Sequence, residues 1–477
     1  MKSSSGKSTR GTKATVKAAP KASSKQQEWS ASARSPAGRA ATTGSLLISG
    51  ARVLDPASGL DQVAQVLIED GRIKAIDVKP KDRSAAREID ARGLWLIPGL
   101  VDLCARFREP GQNHKASIAS ETAAAQAGGI AHVLIPPDTS PVIDTPAMLI
   151  RLQRIAQNTG GLGVHALGAL TKQLGGDALA ELSALRSAGA VGVSNAYAPI
   201  PDSRIARRAL EYAKGLELPV HIFAQDAALA AGGCAHEGPV ATRLGLNPIP
   251  AAAEVAALRF WISLVEDTGA RVHFCRLSTA RGVRLIESAR AHKLPVSADV
   301  AAHQLHLTDI DVDGFNAQCH VWPPLRSVTD RDALRAAVAS GVIEAVCSDH
   351  QPHELDAKVN PYPLTEPGIS ALETLLPLTL ALVHTGLLTP LQAIARITSG
   401  PAAIAGAALG AGAGRLKPGE SADLALVDPD QKWVLHAERM LSAGRNSPFL
   451  GKSLRGRVVR MLHGGSEVYP TAAANGS

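Results

Sequence analysis

Residues 98–111 read PGLVDLCARFREPG. Leu96, Ile97, Leu100, Val101 and Leu103 make an apolar run of strand length that breaks into a polar loop carrying Arg106, Arg108 and Glu109 and closing on Pro110 and Gly111. A buried strand that passes directly into a charged loop is how α/β barrels present functional side chains, at the C-terminal ends of their strands. The pattern recurs. Apolar stretches at 100–103, 132–135, 164–170, 190–194, 220–223, 272–277, 296–300 and 345–347 alternate with helical stretches at 117–127, 146–157, 176–187, 203–216, 250–268, 279–292 and 329–339. Several of the helical stretches open on Ser or Thr caps or on Pro in the first turn. Eight strands alternating with helices predict an α/β chain with a (β/α)8 TIM-type barrel. A doubly wound open sheet is the alternative, but no GxGxxG follows the first strand. Residues 370–384 and 390–398 read as closing helices, and the Ala/Gly-rich 400–414 as a helix end and linker.

Both flanks of this middle are β-rich. SLLISGARVLD, QVAQVLIEDGRIKAID with its Asp70-Gly71 hairpin signal, and REIDARGLWLIPG precede the barrel; GRLKPGESADLALVDPDQKWVL and LRGRVVRMLHGGSEVYP follow it. One small β-sandwich domain built from both chain ends is therefore expected. The boundaries read as a basic tail at 1–45, a first β part at 46–97, the barrel at 98–410, a second β part at 411–470 and a C-terminal tail at 471–477.

Composition narrows the class. With 45% hydrophobic but only 3% aromatic residues, the core must be built from Ala, Leu, Val and Ile, as helices packed on a sheet require. The five cysteines (Cys104, Cys234, Cys275, Cys319, Cys347) are odd in number and have no CxxC pair, which points to a reducing, cytoplasmic setting and away from structural zinc. The formal net charge is +7, yet residues 1–45 hold nine Lys/Arg against Glu28 alone, so the tail carries the whole excess and the remainder is near neutral. That argues against a nucleic-acid partner. The tail lacks the apolar segment of a secretion signal, favours Lys over Arg where a transit peptide would not, and is too poor in apolar residues to fold. No stretch of eighteen apolar residues predicts a membrane span.

The stretches REPGQNHKASIAS, PPDTSPVIDTP, HEGPVATRLGLNPIPAAAE, VWPPLRSVTDRDAL, SDHQPHELDAK and GRNSPFLGKSLRGRVV closely resemble the text of the dihydroorotases, members of the cyclic amidohydrolase superfamily, over nearly the whole of 46–470. The resemblance implies a zinc-dependent hydrolase that opens or closes the cyclic amide of dihydroorotate. In that chemistry the metal polarises the carbonyl and supplies hydroxide near neutral pH, while an aspartate at the end of strand eight moves the proton. The family text places zinc ligands in an HxH at strand one, a bridging carboxylate at strand four, and histidines at strands five and six. Those positions fall here on Cys104 and Arg106, Asn195 (followed by Ala196), Phe223 and Arg276. The zinc expected of the family thus lacks its ligands, and no cofactor is expected. An arginine is always protonated and cannot replace a ligand.

What survives is the strand-eight aspartate, Asp349, as a vestigial general base or a buried structural carboxylate, with Arg108 and His353 as remnants of the substrate site. Arg108 matches the residue that grips the substrate carboxylate. Asp138 and Trp322 stand where asparagines are usual, one repelling an anion and the other bulky. Cys104 and Cys275 read as core cysteines, the latter facing the helices if Arg276 faces the barrel axis. His114, His165, His221, His273, His303 and His306 lie off the ligand positions and read as structural or solvated. Three functions compete: a non-catalytic subunit, as the resemblance implies, in a hetero- or homo-oligomer with aspartate transcarbamoylase; an active amidohydrolase, metal-dependent through relocated ligands or metal-free; and a small-ligand sensor using Arg108. The expectation for the vacated metal volume is that one or both of Arg106 and Arg276 pair with Asp349 and depress its pKa, with Phe223 filling the strand-five space.

Overall fold

The computed structural model describes residues 44–77 and 87–470; most of the basic tail, residues 78–86 and the 471–477 tail lie outside the described residues. The first flank supplies strands β1 (Ser45–Asp55), β2 (Leu60–Glu69), β3 (Arg72–Ile76), β4 (Arg87–Asp90) and β5 (Trp95–Pro98). The Asp70-Gly71 turn joins β2 to β3, with both residues at positive φ (48° and 76°), as a tight hairpin demands.

The barrel follows as β6 (Leu100–Asp102), β7 (Ile130–Ile135), β8 (Gly163–Ala169), β9 (Gly192–Ser194) and β10 (Val220–Ile222). A short pair, β11 (Ala235–His236) and β12 (Pro248–Ile249), decorates the next connection before β13 (Val272–Phe274), β14 (Val296–Ala301) and β15 (Ala345–Cys347). These eight barrel strands run parallel in chain order from β6 to β15. The ring closes where β15 returns to β6. Arg106 N–H donates to His350 O at 2.9 Å, and His350 N–H to Cys104 O at 3.3 Å. All eight expected strands are present. Of the helices, the 176–187 expectation shrinks to Leu182–Ser187, because residues 178–180 bond back to the chain after β8 instead: Lys172 N–H donates to Ala178 O (2.8 Å) and Ala180 N–H to Leu170 O (3.1 Å).

The far flank adds β16 (Leu424–Val434), β17 (Ser453–His463) and β18 (Ser466–Tyr469). β5 pairs in parallel with β1 and antiparallel with β16, so strands from both chain ends form one sheet in the order β18-β17-β16-β5-β1-β2-β3, with β4 branching from β1. Its core, including Ile48, Val53, Val66, Leu96, Leu424 and Leu462, is fully buried. Gly99 joins this sheet to the barrel: its N–H donates to Asp423 O at 2.8 Å, and a Cβ there would lie 2.4 Å from that of Ala131. The Pro-Gly that opens the deciding stretch is thus a close-approach junction.

Candidate functional site

The loop after β6 is held from three sides. Glu109 accepts the Ile118 N–H (2.8 Å) at the start of helix Ile118–Ala127, which Ser117 and Ser120 close with a reciprocal cap. Gly111 sits at φ 106°, where a Cβ would come within 2.0 Å of Ser140 O in the loop after β7. Asp102 is fully buried and accepts the Ser348 N–H (2.9 Å) and hydroxyl, tying strand one to strand eight directly beneath the loop. Burial lifts the Asp102 carboxyl to about 7 against these hydrogen bonds.

At the barrel mouth, Cys104, Arg106, Arg276 and Asp349 meet. Arg106 Nη1 and Arg276 Nε each lie 3.6 Å from Asp349 Oδ1, and the three side chains are 6%, 4% and 1% exposed. The Cys104 thiol lies 3.5 Å from the same oxygen and accepts from Arg276 Nη1 at 2.9 Å. Arg106 turns its other edge to Asp138, with Nε and Nη2 both 2.9 Å from Oδ2. The aspartate that would repel an anionic substrate therefore neutralises a guanidinium instead. Tyr197, following the strand-four position, packs its ring 4.6 Å from the Arg106 guanidinium and 5.0 Å from that of Arg276. Phe223 stacks 5.0 Å from Arg276 and edge-on to Tyr197 at 4.8 Å. The arginine pairing and the space-filling role of Phe223 are both found.

One expectation fails. The Asp349 carboxyl is raised, not depressed: complete burial outweighs Arg276, Arg106 and the Cys104 thiol, which among the described residues is the only group donating a hydrogen bond to it. Guanidinium groups at 3.6 Å attract through charge without short hydrogen bonds, and that return is smaller than full desolvation. Burial also lifts Cys104 to about 12, so it stays a thiol at neutral pH. Another expectation fails beside it. Strand β13 ends at Phe274 and Arg276 has φ 55°, so alternation is broken; Cys275 turns toward His221 and His273 rather than the helices while Arg276 still reaches the mouth.

The remaining family positions are committed to local structure. Asn195 accepts from the Thr171 hydroxyl (2.6 Å) and donates to Ala198 O (3.0 Å), stabilising its own loop. Arg108 donates to Pro352 O (3.0 Å) and Gln112 (3.3 Å) and lies 3.0 Å from His353 Nε2. His353 also meets Lys115 Nζ at 3.3 Å and Pro367 O at 3.1 Å, and burial beside Arg108 and Lys115 lowers it to about 2. Trp322 places its ring 5.8 Å from Tyr197 at the edge of a cleft of about 590 Å³ lined also by Gln225, His320 and Thr365.

The family's zinc does not fit this mouth: the ligand positions offer two guanidinium groups, a phenyl ring, a carboxamide turned into its loop, and a thiol occupied by Arg276. Among the described residues, the one group with metal-ligand spacing is His221, His273 and Cys275, deeper in the barrel. Sequence reasoning missed Tyr197 as the centre of the mouth. The signal was an aromatic two residues past the strand-four position Asn195, in a barrel whose strands one and six each lead into an arginine.

The comparisons with known proteins agree with this architecture. A family profile described as Dihydro-orotase-like matches residues 93–281. A Dihydroorotase-like protein of Pseudomonas aeruginosa is 50% identical over 411 residues, covering 86% of this chain and 96% of its own. A dihydroorotase of Anaeromyxobacter dehalogenans is 39% identical over 432 residues, covering 90% and 99%. The L-hydantoinase of Arthrobacter aurescens superposes with a TM-score of 0.80 at 23% identity, covering 89% of this chain and 96% of that one, which speaks to the fold alone. The chain belongs to the dihydroorotase-like family of the amidohydrolase superfamily.

Proposed function

We propose that this protein is a dihydroorotase-like pseudoenzyme of pyrimidine biosynthesis that serves as a structural subunit, assembling in the cytoplasm with aspartate transcarbamoylase. The observation that carries the reading is the enclosure of Asp349. Its carboxyl is 1% exposed and faces two guanidinium groups and a thiol where a hydrolase needs a metal-activated water. A general base must reach the proton it removes. Here the carboxylate is buried against two guanidinium groups that in turn pack on the Tyr197 ring. Assembly is the simplest role for a family fold kept around a disabled centre. Five free cysteines, all buried, support a reducing compartment. No helix among the described residues is long and apolar enough to cross a membrane.

The test is co-expression with the aspartate transcarbamoylase of the same genome. A complex that co-elutes, with a transferase that is less stable or inactive alone, is the expected outcome. Separate elution at micromolar concentration, with a fully active isolated transferase, contradicts the assignment.

A further inference from the structure

We infer that His221, His273 and Cys275 form a binding site for a borderline-soft divalent cation of the zinc class inside the barrel, distinct from the vacated mouth. The register makes it. β10 and β13 pair in parallel with His221 opposite His273, so both imidazoles project from the same face, with ring centroids 5.0 Å apart. Cys275 lies two residues beyond His273 on that face, and one ligand atom from each of the three lies within 4.8 Å of the others.

His221 supplies the independent observation. It is 1% exposed, and among the described residues neither of its ring nitrogens meets a hydrogen-bond partner. A buried imidazole normally has at least one. His273 is already oriented as metal-binding histidines are: its Nε2 faces Asp299 Oδ2 at 2.8 Å, the carboxylate contact that fixes the tautomer of a ligand. Among the described residues its Nδ1 meets only the Ser297 hydroxyl, at 2.9 Å, a neutral partner that holds it less strongly than a cation would.

The charges close as well. On binding, the Cys275 thiol loses its proton to solvent and its sulfur donates an electron pair to the cation, leaving a unit positive centre beside the Asp299 carboxylate. Two imidazoles and a thiolate select zinc-class ions over magnesium or calcium, which take oxygen ligands. Three protein ligands leave a fourth position for water, and the metal cross-links strands five and six. This inference does not rest on the pseudoenzyme reading: a metal here is compatible with an inert mouth.

The test uses the full chain produced in zinc- or cobalt-supplemented medium. A single equivalent of metal per chain is expected in the wild type and in Cys104→Ser, and its loss in His221→Asn and Cys275→Ser. The cobalt form should show a thiolate-to-cobalt charge-transfer band that survives Cys104→Ser and vanishes in Cys275→Ser. X-ray absorption on the wild-type zinc protein should find one sulfur among nitrogen ligands, a readout that stands if the variants do not fold. Only traces of metal in the wild type, a shell without sulfur, or a band that persists in Cys275→Ser overturns the site. Metal accompanied by dihydroorotase turnover that survives Cys275→Ser contradicts the pseudoenzyme reading as well.

Discussion

Replacing Arg276 by methionine removes one of the two cations facing Asp349 and leaves a buried carboxyl with half its counter-charge. Unit charges 3.6 Å apart attract by about 4–5 kcal/mol at an effective dielectric near 20. The loss is smaller than this, for two reasons. Arg106 remains 3.6 Å from the same oxygen, and the carboxyl has an escape, since protonating an ordinary carboxylate at pH 7 costs about 4 kcal/mol and a carboxyl already raised by burial less. An expected loss of about 3 kcal/mol at pH 7 follows, the low end for breaking a buried pair from one side. The sign with pH is fixed. Removing the cation raises the folded-state pKa of Asp349 further above its unfolded value, so the variant binds a proton in the folded state and regains stability as pH falls through that raised pKa. Urea unfolding followed by tryptophan fluorescence between pH 8 and pH 5 should show the gap to wild type narrowing on acidification. Adding Asp349→Asn should cost much less than the two single changes summed. A gap below about 1 kcal/mol that is flat with pH, or strict additivity, would refute the pairing.

At the base of the barrel, Asp423 lies 3.0 Å from His463 Nδ1 and 3.7 Å from His132 Nε2; against its burial, the two imidazoles beside it hold it well below the carboxylate range, and Asp423 raises His463. The raised His463 contributes stability in full below about pH 6.5 that is lost as pH rises through its folded pKa, and the lowered Asp423 contributes above about pH 3.9. Asp423→Asn should therefore cost about 2 kcal/mol near pH 6 and less at pH 9, read by denaturant midpoints; a larger loss at pH 9 contradicts the pair. Calorimetric titration with dihydroorotate should give no saturable heat, because Arg108 is engaged with Pro352, Gln112 and His353; saturable binding abolished by Arg108→Ala would favour the sensor reading.

The barrel was legible because each strand is a short apolar run bounded by turn residues, and the joined end sheet because both flanks carry alternating text with hairpin signals. The family positions could be placed by neighbouring text, which is why Arg106 and Arg276 were expected around Asp349 and are found there, whereas Cys104, read as a core cysteine, also meets it. Three features were not legible. The side Cys275 faces depends on where β13 ends and on the left-handed backbone of Arg276, neither of which periodicity encodes. The direction of the Asp349 shift is a small difference between large opposing quantities, burial against two guanidinium groups, and distances decide it. Tyr197 follows a three-residue strand and has no period to betray it, yet its ring meets Arg106, Arg276, Phe223 and Trp322.

The most direct measurement is dihydroorotase turnover in both directions on purified protein supplied in turn with zinc, cobalt and manganese. The account predicts no rate above the protein-free control with any of them, because none of the family's mouth positions offers a free donor. Metal-dependent turnover abolished by Asp349→Asn would contradict it.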